Sequence, residues 1–198
     1  MTRAVMRSIV VSIAGIGVAG QVAAGVLLVA AVLALAGMHG PLAFAHKRLK
    51  GHELWLAFAV ASFATAGSLF FSEVAHFPPC LLCWYERFCM YPLSILTLVV
   101  AVAGWHRAGR WLLPVPIVGA GLSTYHVLIE NGLAPQWRDC ILSAPGGCAL
   151  KWINEFGYVT IPTLALTGFV LIIAFLLFDS AELRYPEHTD EGVVQGAG

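Results

Sequence analysis

Charge is what this chain has least of. Only 11% of its 198 residues are Asp, Glu, Lys or Arg, against about a quarter in an average soluble domain. Eleven basic residues balance eleven acidic ones, so no basic field argues for nucleic acid or acidic substrates. Cysteine is also scarce. Five cysteines are too few for a disulfide-stapled secreted scaffold. What fills the chain is apolar: 59% of residues are hydrophobic and mean hydropathy is +0.82. Long apolar runs with so little charge make this an all-α integral membrane protein, and the length fits one domain.

A bilayer span needs about 20 apolar residues. Leu54–Phe71, Phe88–Gly104, Trp111–Ile129 and Tyr158–Phe178 each qualify, which predicts a four-helix transmembrane bundle. Pro92, Pro114, Pro116 and Pro162 fall in or near these spans, where neighbouring helices can re-satisfy freed carbonyls. Ile9–Met38 is a fifth apolar segment, with Arg3 and Arg7 ahead of it and Gln21 within it as an expected packing contact. Ala34-Leu35-Ala36 resembles a signal-peptide cleavage site, but cleavage there would leave His46-Lys47-Arg48-Leu49-Lys50 outside, against the positive-inside rule. The reading adopted is an uncleaved extra N-terminal transmembrane helix. Three regions result: an accessory hydrophobic segment and basic loop over 1–53, a four-helix bundle over 54–178, and a polar tail over 179–198 that is expected to be cytoplasmic and disordered.

Orientation follows from the short loops. Lys47, Arg48 and Lys50 precede one span, and Arg107 and Arg110 separate the next two. Both loops are expected to be cytoplasmic. Alternation then puts residues 72–87 and 130–157 outside, where disulfides persist. Four of the five cysteines fall in those two connections or at their edge.

The first pair is Phe77-Pro78-Pro79-Cys80-Leu81-Leu82-Cys83-Trp84-Tyr85-Glu86-Arg87. Two prolines block a preceding helix and suit a first turn, so the cysteines are expected at a helix N-terminus, where the dipole and unpaired N–H groups stabilise a thiolate. Cys83 and Arg87 are four residues apart and share a helix face. The guanidinium could depress a thiol pKa or hold an anionic or carbonyl ligand. Taken alone, the motif also fits a structural disulfide or half a zinc site, and Arg87 fits an interfacial residue snorkelling to headgroups. Trp84 and Tyr85 read as aromatic-belt anchors.

The second pair, Cys140 and Cys148, lies in the longest outer connection. Pro145-Gly146-Gly147 makes that loop flexible, which suits presenting one cysteine to a soluble partner and swinging the other toward Cys80. A static disulfide is the alternative. Leu150, Ile153 and Phe156 recur at helical spacing, so Ala149–Tyr158 is expected to be a short interfacial amphipathic helix. His126 lies about one turn inside its span, a depth at which an ionisable residue is a functional candidate or an interhelical hydrogen bond. Cys89 reads as a small packing residue. Glu73, His76 and Glu130 read as solvated helix-end residues.

Pro79-Cys80-Leu81-Leu82-Cys83-Trp84-Tyr85-Glu86-Arg87 resembles the signature of the DsbB/BdbC disulfide bond formation proteins. So does Cys148-Ala149 with Trp152, Phe156-Gly157 and Ile161-Pro162 leading into the last helix. The resemblance covers roughly Leu54 to Phe178. It implies a membrane thiol:quinone oxidoreductase in the bacterial cytoplasmic (inner) membrane, with ubiquinone or menaquinone as cofactor and a DsbA-like thioredoxin-fold thiol oxidase as partner. Carried onto this chain, Cys140 accepts attack by the partner, Cys148 exchanges with Cys80, and Cys83 lies against the quinone as a thiolate. Arg87 holds a quinone oxygen, and His126 sits near the quinone. The segment before Leu54 is extra, and the short Cys140–Cys148 spacing resembles the Gram-positive-type members.

Three other readings compete. Vitamin K epoxide reductase-like enzymes carry loop cysteines before the Cys-x-x-Cys, whereas here they follow it. A tetrathiolate zinc site would use all four cysteines, but Cys-x7-Cys is unusual zinc spacing, and no metal is assigned. A non-catalytic membrane protein with two static disulfides would exchange no thiols.

Overall fold

The computed structural model describes residues 3–35, 49 and 51–182. The disputed cleavage site, most of the basic loop at 46–50 and the polar tail lie largely outside them. Seven α-helices are described. They are α1 (Arg3–Leu35), α2 (Glu53–Leu69), α3 (Leu81–Ala103), α4 (His106–Leu112), α5 (Pro114–Glu130), α6 (Arg138–Ser143) and α7 (Ile161–Glu182). Five helical stretches among the described residues are long and apolar enough to cross a membrane: Ala4–Ala30, Glu53–Val74, Leu81–Ala103, Gly109–Glu130 and Ile161–Asp179. The expected four-helix bundle and the extra N-terminal helix are both present.

The bundle closes as a ring. α2 packs on α3 and α7, and α5 packs on the same two helices from the other side. α1 stands outside the ring against α7. Most of the core lies where α7 meets α2 and α3, with Phe169, Ile172 and Leu176 of α7 against Ala57, Ala61 and Leu93. Phe169 is fully buried because Gly119 of α5 leaves room for its ring: a Cβ there would collide with it. Gly104 ends α3 in the left-handed region at φ 62°, a conformation that glycine adopts without strain. Pro114 opens α5, where its missing N–H costs nothing.

α2 ends in a π-helical turn, Phe70–Val74. This wider turn and the left-handed His76 (φ 55°) bring Phe77 back to stack on Phe71, at 6.2 Å between centroids. Phe77 in turn stacks on Trp152, at 5.1 Å. The α2–α3 and α5–α7 connections therefore meet at one end of the bundle, the end that carries the paired cysteines.

The expected helix over Ala149–Tyr158 does not form. A single 3-10 turn, Gly147–Ala149, gives way to irregular chain with one antiparallel bridge, Glu155 to Val159. Phe156 (φ 53°) and Gly157 (φ 81°) form its turn. The apolar spacing misled because the three residues do not share a face: Ile153 is buried while Leu150 and Phe156 are exposed.

Candidate active site

Pro78 and Pro79 run in without helical structure, and the extended backbone of Cys80 (φ −75°, ψ 175°) makes it the N-cap of α3. Its Sγ accepts a hydrogen bond from the Cys83 N–H at 3.4 Å, the role an Asp or Ser oxygen plays at other helix starts. Both thiols are free, and their sulfurs lie 2.9 Å apart. The first pair thus occupies the helix N-terminus, as its sequence implied.

The two sulfurs border different surroundings. Cys80 is buried in a cluster with Leu82, Ile129, Cys140 and Cys148. His126, also buried, places Nε2 3.6 Å from Cys80 Sγ and Nδ1 3.1 Å from Glu86 Oε1. The Cys80 thiol is pushed down to about 4. The Cys83 hydrogen bond contributes most, burial opposes it, and His126 adds its own hydrogen bond and field. These surroundings favour a thiolate at Cys80.

Cys83 packs against the edge of that cluster and, unlike Cys80, also borders a cavity of about 520 Å³. Its polar end is formed by Cys83, Glu86, Arg87, Ser68 and Tyr91, beside Pro79 and Trp152, and the remainder is apolar except for Thr167. Arg87 donates through Nε to Ser68 Oγ at 2.9 Å and through Nη2 to the Ser68 carbonyl at 3.2 Å. Tyr91 donates to the same Oγ at 3.3 Å. The guanidinium also lies over Trp84, 5.3 Å from the ring centroid. Trp84, expected as a belt anchor, is about half exposed and doubles as a platform for Arg87.

The second pair is a disulfide, Cys140–Cys148, with Cα atoms 5.7 Å apart. The sequence allows its display at a loop surface, but both cysteines are fully buried. Four contacts hold the loop down. Ser143 Oγ accepts from the Leu81 N–H at the start of α3 (3.1 Å). Gln136 Oε1 accepts from the Cys148 N–H (2.9 Å). Tyr125 donates to the Pro135 carbonyl (2.8 Å) and stacks on Trp137 (5.3 Å). Gly146 and Gly147, at φ 84° and 65°, make the tight turn between the two cysteines.

Five of the six site residues expected from sequence are brought together: Cys80, Cys83, Cys140 and Cys148 in one cluster, and Arg87 beside Cys83 on the cavity. His126 joins the site by a different contact. It does not line the cavity but sits against Cys80. Glu86, Ser68 and Tyr91 were not anticipated. Glu86 could have been found, since it lies three residues past Cys83 and so one helical turn further along the same side. Ser68 could not, because only the α2–α3 packing brings it to Arg87. Cys89 packs beside the main core as expected. Gln21 proves to be a hydrogen-bond acceptor, taking the Tyr158 hydroxyl at 2.9 Å. Glu130, expected to be solvated, has a buried Oε2.

The tetrathiolate alternative needs four free thiolates, and two of these sulfurs are bonded to each other. Cys80, Cys83 and His126 do present donor atoms within 4.8 Å of one another, but they are three.

The profile of the family described as disulfide bond formation protein DsbB matches residues 51–178. The chain belongs to this family. Among DsbB-family relatives, disulfide bond formation protein C of Bacillus subtilis (strain 168) is 41% identical over 128 residues, covering 62% of this chain and 88% of its own length. A probable disulfide formation protein of Deinococcus radiodurans is 36% identical over 153 residues, 73% of this chain and 97% of that one. A probable disulfide formation protein C of Bacillus cereus (strain ATCC 14579) is 42% identical over 128 residues. No solved structure shows a significant match. Membership in the DsbB family makes this a multi-pass membrane protein of disulfide bond formation, and α1 lies ahead of the matched residues.

Proposed function

We propose that this protein is a protein-dithiol:quinone oxidoreductase of the bacterial cytoplasmic membrane. It would reoxidise a DsbA-like thioredoxin-fold thiol oxidase outside the membrane. The observation that carries this reading is the division of the Cys-x-x-Cys pair, with Cys80 packed against the Cys140–Cys148 disulfide and Cys83 bordering an apolar cavity. A bundle with basic Arg107 and Arg110 at the far end of α3 supports an outward-facing cysteine end.

The cavity suits a quinone. It is mostly apolar, with a thiol and a guanidinium at one end, the arrangement wanted by a lipid-soluble ring with carbonyl oxygens. Bound there, a quinone supplies the acceptor for two electrons and two protons and leaves as quinol. The chain's own residues do the rest. The partner's thiolate attacks the Cys140–Cys148 disulfide at Cys140, forming a mixed disulfide and releasing Cys148. The partner's second thiol resolves that bond, so the partner leaves oxidised and the loop pair is left reduced. With the helix pair in its Cys80–Cys83 disulfide form, Cys148 attacks Cys80 and releases Cys83, and Cys140 then attacks Cys148 and releases Cys80, so the loop disulfide re-forms and the helix pair is left reduced until its two electrons and two protons pass to the quinone. Cys80 is suited to leave in that last exchange by its thiolate character, and His126, hydrogen-bonded on its other side to Glu86, is placed to take and return the proton. Arg87, tied by two hydrogen bonds to Ser68, would orient a ring oxygen beside Cys83. Because the loop disulfide is buried, the four contacts over it must open before a partner can reach Cys140.

Cys83→Ser tests the assignment. Purified protein in detergent, supplied with quinone and a reduced thioredoxin-fold dithiol oxidase, is followed by quinone absorbance. The variant should lose steady-state quinone reduction while its Cys140–Cys148 disulfide still forms a mixed disulfide with the partner. Sustained quinone reduction by the variant would sink the Cys83 role. Metal analysis of the same preparation separates the metal-binding reading.

A further inference from the structure

α1 lies outside the family-matched residues, yet it forms one side of the cavity that Cys83 borders. Ile13, Ile16, Gly17, Ala19, Gly20 and Ala23 all line it. From Ile13 to Ala23 is ten residues, about 15 Å along the helix, running from the cysteine-bearing end toward the bundle middle. The helix is fixed there by specific contacts. At the cysteine-bearing end Val10 is buried against Phe71 and Ile153, next to the Phe77–Trp152 stack. Further along, Gly17 admits Leu164 of α7, which a Cβ would strike, and Gly20 meets Leu171 Cδ1 and Thr167 Cγ2. Gln21 accepts the Tyr158 hydroxyl. Toward the other end Ala24 and Leu27 pack on the main core.

These contacts use one face of α1. Ile16, Ala19 and Ala23 lie beside that face, are themselves exposed, and line the cavity. Opposite them stand Phe63 and Ala59 of α2. The cavity is thus polar at its Cys83–Arg87 end and apolar where α1 supplies the wall, with small side chains at Ala19 and Ala23 leaving a channel. A ligand with a polar ring and a long hydrocarbon tail matches that polarity.

We infer that α1 is the tail-binding wall of the quinone site: the ring sits at Cys83 and Arg87, and the first isoprene units lie along Ala19 and Ala23 between α1 and α2. This rests on the quinone reading above. It makes α1 a determinant of which quinones are used, acting on the tail and not on the ring.

The test compares quinones that differ only in the tail. The full chain is assayed with a tail-less benzoquinone and naphthoquinone and with the same rings carrying short prenyl tails, using a reduced thioredoxin-fold dithiol oxidase as donor. Ala19→Phe with Ala23→Phe should raise KM for the prenylated quinones about tenfold, the loss expected when about two methylenes no longer find an apolar surface. KM for the tail-less quinones should stay within about twofold, since nothing at the ring end changes. Val22→Phe, at a position on α1 that is 62% exposed and outside the cavity, should leave every KM alone. Equal KM values for the variant and the unaltered chain with prenylated quinones would overturn the inference, as would an equal rise for both quinone types. Photolabelling of the unaltered chain with a quinone carrying a diazirine on its tail gives an independent readout if the double variant does not fold. Label on residues 13–23 is expected, and label confined to other helices would refute it. If the unaltered chain reduces no quinone of either type, the functional reading itself fails, and the tail site falls with it.

Discussion

The thiolate at Cys80 depends on two neighbours, and one of them can be removed without touching a cysteine. His126 Nε2 lies 3.6 Å from Cys80 Sγ and is one of the causes that bring that thiol down to about 4 from an ordinary 9.0. A hydrogen bond to a charged group is worth about 1.5–3 kcal/mol, and each pKa unit corresponds to about 1.4 kcal/mol. His126→Phe should therefore raise the Cys80 midpoint by about one to two units, to about 5–6. The sign follows from the charge: a donor that favours the thiolate has been lost, so more base is needed to form it. At pH 5 the thiolate fraction should fall from about nine-tenths to between about a half and a tenth, and at pH 7 it should barely change. The assay is a pH titration of thiolate ultraviolet absorbance in a Cys89→Ala, Cys140→Ser, Cys148→Ser background, where only Cys80 and Cys83 absorb. His126→Gln, which keeps a hydrogen-bond donor but not the imidazole ring, should fall between the two. A midpoint unmoved by His126→Phe would refute the electrostatic coupling. A parent midpoint near 9 would refute the geometry from which it was argued.

Three further outcomes follow from contacts elsewhere in the site and core. Arg87→Ala should raise the apparent KM for quinone while leaving mixed-disulfide formation with the partner unchanged, and an unaltered KM would count against Arg87 as the ring contact. Ser143→Ala removes the acceptor of the Leu81 N–H, so the loop should open more readily, with about 1 kcal/mol less protection. Faster hydrogen exchange at Leu81 and faster attack on the Cys140–Cys148 disulfide would show it, and no change in either would mean the latch lies elsewhere. Gly119→Ala should lower the thermal midpoint in detergent by the equivalent of about 1–3 kcal/mol, because its Cβ meets the ring of Phe169; a midpoint equal to the parent's would mean that the ring has room to shift.

What the sequence disclosed was local. Two prolines ahead of a cysteine announce a helix start, and Cys80 is that helix's N-cap. Cys83 and Arg87, one turn apart, do share a face on the cavity. The spans were readable because membrane helices must be apolar for about 20 residues whatever they pack against. Features set by the meeting of distant segments were not readable. Ser68 reaches Arg87 only through α2–α3 packing, and α1 becomes a cavity wall only because Gly17 and Gly20 let α7 come close. Glycines between the loop cysteines left a displayed, mobile disulfide and a static one equally open. The same glycines turn the chain so that Gln136 and Ser143 fasten it down. At Ala149–Tyr158 the period of the apolar residues was helical, but the left-handed turn at Phe156-Gly157 prevails.

The N-cap position explains why two cysteines three residues apart can serve different partners. An N-cap residue stands half outside its helix, with extended backbone, while the residue three further on belongs to the first turn. Cys80 therefore leans away from the helix toward the loop disulfide of the α5–α7 connection and toward His126 of α5. Cys83 is held on the helix surface, on the side that Arg87 extends one turn deeper. Their sulfurs still approach to 2.9 Å, near enough to join with little backbone movement. An i, i+3 pair in mid-helix would put both sulfurs on one face and into one environment. Placed across the helix boundary, the same spacing buries Cys80 against the loop disulfide while Cys83, at the edge of that cluster, also reaches the cavity, the asymmetry that the proposed relay would need.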